Sequence, residues 1–171
     1  MSTPHLPQVI VAAVDASPES DAALAAFIVD AAATYAESMG ARLVILTACP
    51  PPPIPSFGPL DPQNVALETM THLIAATTRH ANELLLQLAD RARTHGVPTE
   101  TKAVTAPGRL PDLINDAAAA AVGSSRGLLI LASRGRGGLA RRVLGSVAEL
   151  TAHAATMPVM LLPPEETGVA G

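Results

Sequence analysis

Tryptophan is absent from this 171-residue chain, and aromatic residues make up only 2% of it. A core without large rings must be filled by Ala, Val, Leu and Ile, the mixture expected of helices packed on a parallel sheet. Cysteine is nearly absent too. Cys49 stands alone, which excludes an intrachain disulfide framework and suits a reducing compartment. The one lysine, Lys102, follows no glycine, so the phosphate loop G-x-x-x-x-G-K-[ST] is excluded. Positive charge is in deficit. A net charge of -4 excludes nucleic-acid binding by bulk electrostatics, and any anion site must be local. The chain also lacks a basic-then-apolar leader, and its apolar runs break well short of the roughly 20 residues of a membrane span, so neither is expected and a cytoplasmic location is. The histidines (His5, His72, His80, His95 and His153) form no i, i+4 pair and have no cysteine pair beside them, which argues against a protein-held metal. A length of 171 residues suits a single domain with a substantial core.

What is present alternates between two patterns. Residues 1–7 carry no periodicity and read as a loose arm. Val9 to Val14 is a near-continuous apolar run, as in a strand buried on both faces. It ends at Asp15, and Ser17-Pro18-Glu19 then read as a capping residue, a proline at the first helical position and a first-turn acid. Helical spacing runs through Ala22, Ala25, Ala26, Val29, Ala32, Ala33 and Ala36 to a stop at Gly40. Leu43 to Ala48 predicts a second buried strand. Residues 50–63 are proline-rich and predict a long irregular loop. Asn64 to His95 regains helical spacing up to Gly96, with a break expected near Thr77-Thr78. Thr99 to Thr105 alternates like a half-exposed edge strand. Pro111 opens another helix that ends at Gly123. Leu128 to Ala132 predicts the fourth strand, Val147 to Ala155 the last helix, and Val159 to Leu162 a final strand between Pro158 and Pro163. Residues 164–171 form a polar tail. The order βαβαβαβαβ predicts an α/β fold: one doubly wound, five-stranded parallel sheet with helices on both faces.

The stretch Leu128 to Val147 carries the strongest functional signal. An apolar strand gives way to a turn without large apolar residues, Ser133, Arg134, Gly135, Arg136, Gly137 and Gly138. Gly145-Ser146 follows nine residues after Gly135 and opens a helix. Glycines let backbone N–H groups approach a ligand, and a helix N-terminus favours negative charge, so this reads as a phosphate cradle. Doubly wound sheets bind ligands outside the carboxyl ends of strands where the winding reverses. The order 3-2-1-4-5 brings the turn Asp15-Ala16-Ser17 beside Ser133 to Gly138 in one crevice. Gly135-x-Gly137-x-x-Ala140 also matches the dinucleotide fingerprint, but only one strand remains after it, and that reading leaves Gly145-Ser146 unused.

The spacing Ala132-Ser133-Arg134-Gly135, nine residues, Gly145-Ser146 resembles the glycine motif of the universal stress protein family, with Ala132 in place of its first glycine. Asp15 at the end of the first strand, the closing strand PVMLLP and the order of elements agree, and the resemblance covers nearly the whole chain. It implies the five-stranded fold, a homodimer through Val159 to Leu162, and a site for ATP or AMP in a nucleotide-responsive stress protein. By matching positions, Gly135, Gly145, Ser146 and Val147 contact phosphates and ribose, Asp15 lies near the adenosine or a nucleotide-bound Mg ion, and Leu43 lines the adenine. Ala16, Ala132, Ser133, Arg134, Arg136 and Gly138 complete the expected site. Gly127 stands where the family often has aspartate.

Plainer roles compete. Asp15 can be a turn residue bonding nearby backbone, and Ser146 can cap its helix. Arg141 and Arg142 fit a solvated helix face, and Cys49 a small packing residue. No Ser/His/Asp arrangement can be read, and the set that phosphoryl transfer needs is incomplete. The alternatives to a nucleotide-responsive dimer are therefore a nucleotide-free scaffold of the same fold and a slow ATPase or phosphotransfer protein.

Overall fold

The computed structural model describes residues 5–17, 20–51, 63–133 and 144–163. The elements run β1 (Val9–Ala13), α1 (Ala22–Met39), β2 (Arg42–Ala48), α2 (Gln63–Arg93), β3 (Thr99–Val104), α3 (Leu110–Val122), β4 (Gly127–Ala132), α4 (Ser146–Ala154) and β5 (Val159–Leu162). The five strands are all parallel, in the order β3-β2-β1-β4-β5. Both the fold class and the strand order follow the sequence reading. Most of the expected arm, the proline-rich loop and the tail lie outside the described residues; at the end of the arm, the Leu6 carbonyl accepts Arg126 Nε–H at 3.2 Å.

Two apolar layers flank the sheet. On one face Ile10, Ala12, Leu43, Ile45, Leu128 and Ile130 pack against α1 and α2; on the other Val9, Val11, Val44, Leu46, Leu129 and Leu131 pack against α3 and α4. The strict two-residue alternation of β1, β2 and β4 between these layers explains why their sequences are apolar throughout. α1 is long and apolar enough by composition to cross a membrane. Here Ala25, Ile28, Val29, Ala32, Ala33 and Ala36 are buried against the sheet, and Asp30 pairs with Arg91 of α2.

Local chemistry departs from the sequence reading in three places. α1 is capped by Asp21, whose carboxylate accepts from the N–H groups of Ala23 at 2.9 Å and Leu24 at 3.2 Å. Ser17 is not its cap; the Ser17 N–H is taken by Asp15 Oδ1 at 2.8 Å. α2 is unbroken at Thr77-Thr78, because its apolar seam continues through Ala81, Leu85, Leu88 and Ala92, all buried. Its 31 residues span about 46 Å at 1.5 Å each. Thr78 meets Thr105 just beyond the end of β3, so the first half of α2 overhangs the carboxyl edge of the sheet. Gly127, finally, is a packing requirement: a Cβ there would lie 2.5 Å from Cγ2 of Val122.

Candidate functional site

The register of the sheet fixes what meets at its carboxyl edge. Ala13 pairs with Leu46 on one side and Leu131 on the other. Two residues further along each chain stand Asp15, Ala48 and Ser133. β1 and β4 are neighbours whose crossovers leave to opposite faces, so this is the point where the winding reverses.

Asp15 is exposed at this mouth while Ala16 behind it is 1% exposed. The bond from Ser17 uses Oδ1 and makes the tight turn expected of an aspartate at a strand end. Oδ2 accepts no hydrogen bond from a described residue. Cys49 faces the same space. Burial pushes its thiol up, contact with Thr47 opposes this, and the negative charge of Asp15 adds to the rise.

The α4 side is built from Ser133. Its carbonyl accepts the N–H of Gly145 at 2.8 Å, and its own N–H donates to the Leu162 carbonyl at 2.7 Å. Gly145 is the N-cap of α4, at φ -66° and ψ 141°, with no side-chain capping bond. Ser146 is therefore the first helical residue and not the cap. The Gly145 carbonyl accepts Glu149 N–H at 2.9 Å, which leaves the N–H groups of Ser146, Val147 and Ala148 as the first-turn donors without helical acceptors. Together with the helix dipole they suit an anion. Ser146 and Val147 are exposed.

Ala132, the last residue of β4, packs its methyl with the α1–α2 layer. Leu43 corrects an expectation. It is fully buried and pairs with Ile10, five residues before Ala48 and so about 16 Å from the mouth at ~3.3 Å per residue. The β2 wall of the crevice is Ala48 and Cys49, which the sequence reading passed over. Arg134, Gly135, Arg136 and Gly138 lie outside the described residues. Among the described residues no group of three His, Cys, Asp or Glu side chains could hold a metal. Asp15 is the one described carboxylate at the mouth that could meet a nucleotide-bound Mg ion.

A second depression lies at the opposite, amino edge of the sheet. It has a volume of about 480 Å³ and is lined in part by Glu37, Gly40, Gly96 and Pro98. It shares no residue with the carboxyl-edge crevice.

A family model described as the Universal stress protein family matches residues 7–163. No curated protein matches the chain. Among solved structures, the chain is similar to the universal stress protein UspA from Lactobacillus plantarum, with 22% identity over 91% of this chain and 97% of that one, and a TM-score of 0.69. It is similar to a universal stress protein in complex with cAMP at 25% identity, 93% and 98% coverage and a TM-score of 0.54. It is likewise similar to the universal stress protein from Archaeoglobus fulgidus in complex with dAMP, at 18% identity, 94% and 99% coverage and a TM-score of 0.59.

Proposed function

This chain belongs to the universal stress protein family, and we propose that it binds an adenine nucleotide at the carboxyl-edge crevice and acts as a nucleotide-responsive dimer. The observation that carries the proposal is the Gly145-to-Ser133 hydrogen bond, which holds the free first turn of α4 against the end of β4 and across the mouth from Asp15. A phosphate would take the N–H groups of Ser146, Val147 and Ala148, as anions do at helix N-termini. Gly135 and Gly138 would add backbone donors, and Arg134 and Arg136 local positive charge. The base would lie toward Ala48, and Asp15 would face the sugar or a nucleotide-bound Mg ion. Similar folds have been solved with cAMP and with dAMP, which supports the adenine moiety over other bases. The dimer would form through β5, whose four apolar residues stand at a sheet edge.

Calorimetric titration with ATP, AMP and cAMP tests the reading, together with denaturation of the purified protein and identification of any released nucleotide. Binding with no turnover is the expected result. No heat from any of the three near millimolar concentration would leave the second reading, a nucleotide-free scaffold of the same fold. Turnover lost in Asp15→Ala would instead point to a slow ATPase.

A further inference from the structure

α4 is thinly seated. Of its nine residues only Ala148 and Thr151 are buried, while Val147 and Leu150 are 36% and 43% exposed. α3 beside it buries Pro111, Ile114, Ala117, Ala118 and Val122. Little apolar burial therefore fixes where α4 sits, although its first turn carries the donors of the crevice. Polar contacts have to do the rest. One is the bond from Gly145 to Ser133 at the start of the helix. The other comes from α3: Asn115 donates from Nδ2 to the Thr151 carbonyl at 3.1 Å, in a half-buried setting. Gly145 and Thr151 are six residues apart, or about 9 Å along the axis. Two such points set the direction of a rigid rod, and with it the aim of the N–H groups at its start. The Thr151 side chain offers no further hold, because its hydroxyl is buried and has no hydrogen-bond partner among the described residues.

We propose that Asn115 is a positioning residue for phosphate recognition: through the Thr151 carbonyl it holds α4 so that the N–H groups of Ser146, Val147 and Ala148 aim into the crevice. The proposal rests on the nucleotide reading above and gives a role to a residue of α3 that lies outside the glycine motif. Without the Nδ2 donor the far end of α4 is free to shift, and the helix tilts about Gly145. A phosphate then has to select the fraction of molecules in which the first turn is still aimed, and its affinity falls with that fraction. A hydrogen bond of ordinary net worth changes such a ratio by about fivefold. The base and sugar lie toward Ala48 and Asp15 in the same reading, so their binding is indifferent to the aim of α4. Loss of Asn115 thus acts on the phosphate and spares the nucleoside.

Calorimetry with AMP and with adenosine on the wild type, Asn115→Ala and Asn115→Leu tests the assignment, with Val122→Ala as a stability control. Both Asn115 variants remove the donor, and leucine keeps the volume. Val122 is buried at the far end of α3, and its truncation weakens the fold without touching the bond to Thr151. The expected result is AMP affinity about fivefold lower in either Asn115 variant, adenosine affinity unchanged in both, and wild-type affinities in Val122→Ala. AMP affinity unchanged in the Asn115 variants overturns the positioning role and leaves nucleotide binding intact. Equal losses of AMP and adenosine affinity, or an equal AMP loss in Val122→Ala, trace the effect to a loosened fold and overturn it as well. No heat with AMP from the wild type defeats the nucleotide reading itself, and the positioning role with it. Should Asn115→Ala fail to fold, Asn115→Leu decides; where the wild type binds AMP but not adenosine, the comparison with Val122→Ala does.

Discussion

Gly145 donates its N–H to the carbonyl of Ser133 at 2.8 Å, which pins the two ends of the glycine-rich turn to each other. The bond sets the position of the α4 N-terminus relative to the end of β4. Gly145→Pro suits the backbone angle, since φ is already -66°, but it removes the donor and sets the ring Cδ against the Ser133 carbonyl, so the two must move apart. The expected cost in stability is about 1–3 kcal/mol, since the Ser133 carbonyl loses its partner. Nucleotide affinity should fall as well, on the order of tenfold or about 1.4 kcal/mol, because the first-turn donors lose their seat. Urea denaturation and calorimetry read the two effects separately; unchanged affinity would show that the bond does not position the site.

The start of α1 gives a cleaner stability test. Asp21→Ala deletes a carboxylate that accepts two N–H groups and should cost about 1 kcal/mol, within the usual range for a lost N-cap. Ser17→Ala should cost far less, because Ser17 meets Asp15 through its backbone N–H, which alanine retains. Chemical denaturation of both variants checks the assignment, and the reverse ranking would restore Ser17 as the cap.

That pair also shows where the sequence was ambiguous. Ser17 and Asp21 are both good capping residues, and Ser17 is followed by proline and glutamate, so local propensity favours the wrong one. The structure decides: α1 begins at Ala22, so the N–H groups of Ala23 and Leu24 lie within reach of the Asp21 carboxylate, while the Ser17 carbonyl accepts Ser20 N–H in a turn ahead of the helix. The final strand was legible because Pro158 and Pro163 bracket it, and Val159–Leu162 is its observed extent. Leu43 and Ala48 form a different case. The run LVILTA predicts a buried strand but does not say which residue faces a ligand. The direction of the chain does: in a parallel doubly wound sheet the ligand lies beyond the carboxyl ends, which selects Ala48. Thr77-Thr78 looks like a helix break by β-branching alone, yet the apolar seam of α2 continues on its far side through Ala81 and Leu85.

Cys49 reports on the mouth of the crevice. Its thiol is held above the ordinary range, chiefly by burial and further by the charge of Asp15. The thiolate is the reactive form, so alkylation near pH 8 should be slow in the folded protein. Asp15→Asn removes one raising influence and should speed labelling modestly, whereas bound nucleotide should slow it by covering the crevice. The unfolded chain ionises this thiol more readily, so its contribution to stability is present below the ordinary thiol pKa and is lost as pH rises through the folded value. Labelling rates followed by mass spectrometry against pH test both signs, and a slower rate in Asp15→Asn would contradict the placement of that carboxylate.

Ala132 occupies the first glycine position of the motif, and its consequences depend on which way its methyl points. The methyl packs with the α1–α2 layer, whereas α4 joins the opposite layer through Ala148. The side chain is therefore absorbed by the core on the far side of the sheet from the phosphate-facing helix. Restoring the family residue with Ala132→Gly should lose packing and chain stiffness in β4 and destabilise the fold by roughly 0.5–1 kcal/mol. Nucleotide affinity should change less than about threefold, a free-energy difference of about 0.65 kcal/mol. A gain of about tenfold or more by calorimetry would place the methyl in the path of the ligand, and the scaffold reading would then describe the native chain better than the nucleotide reading does.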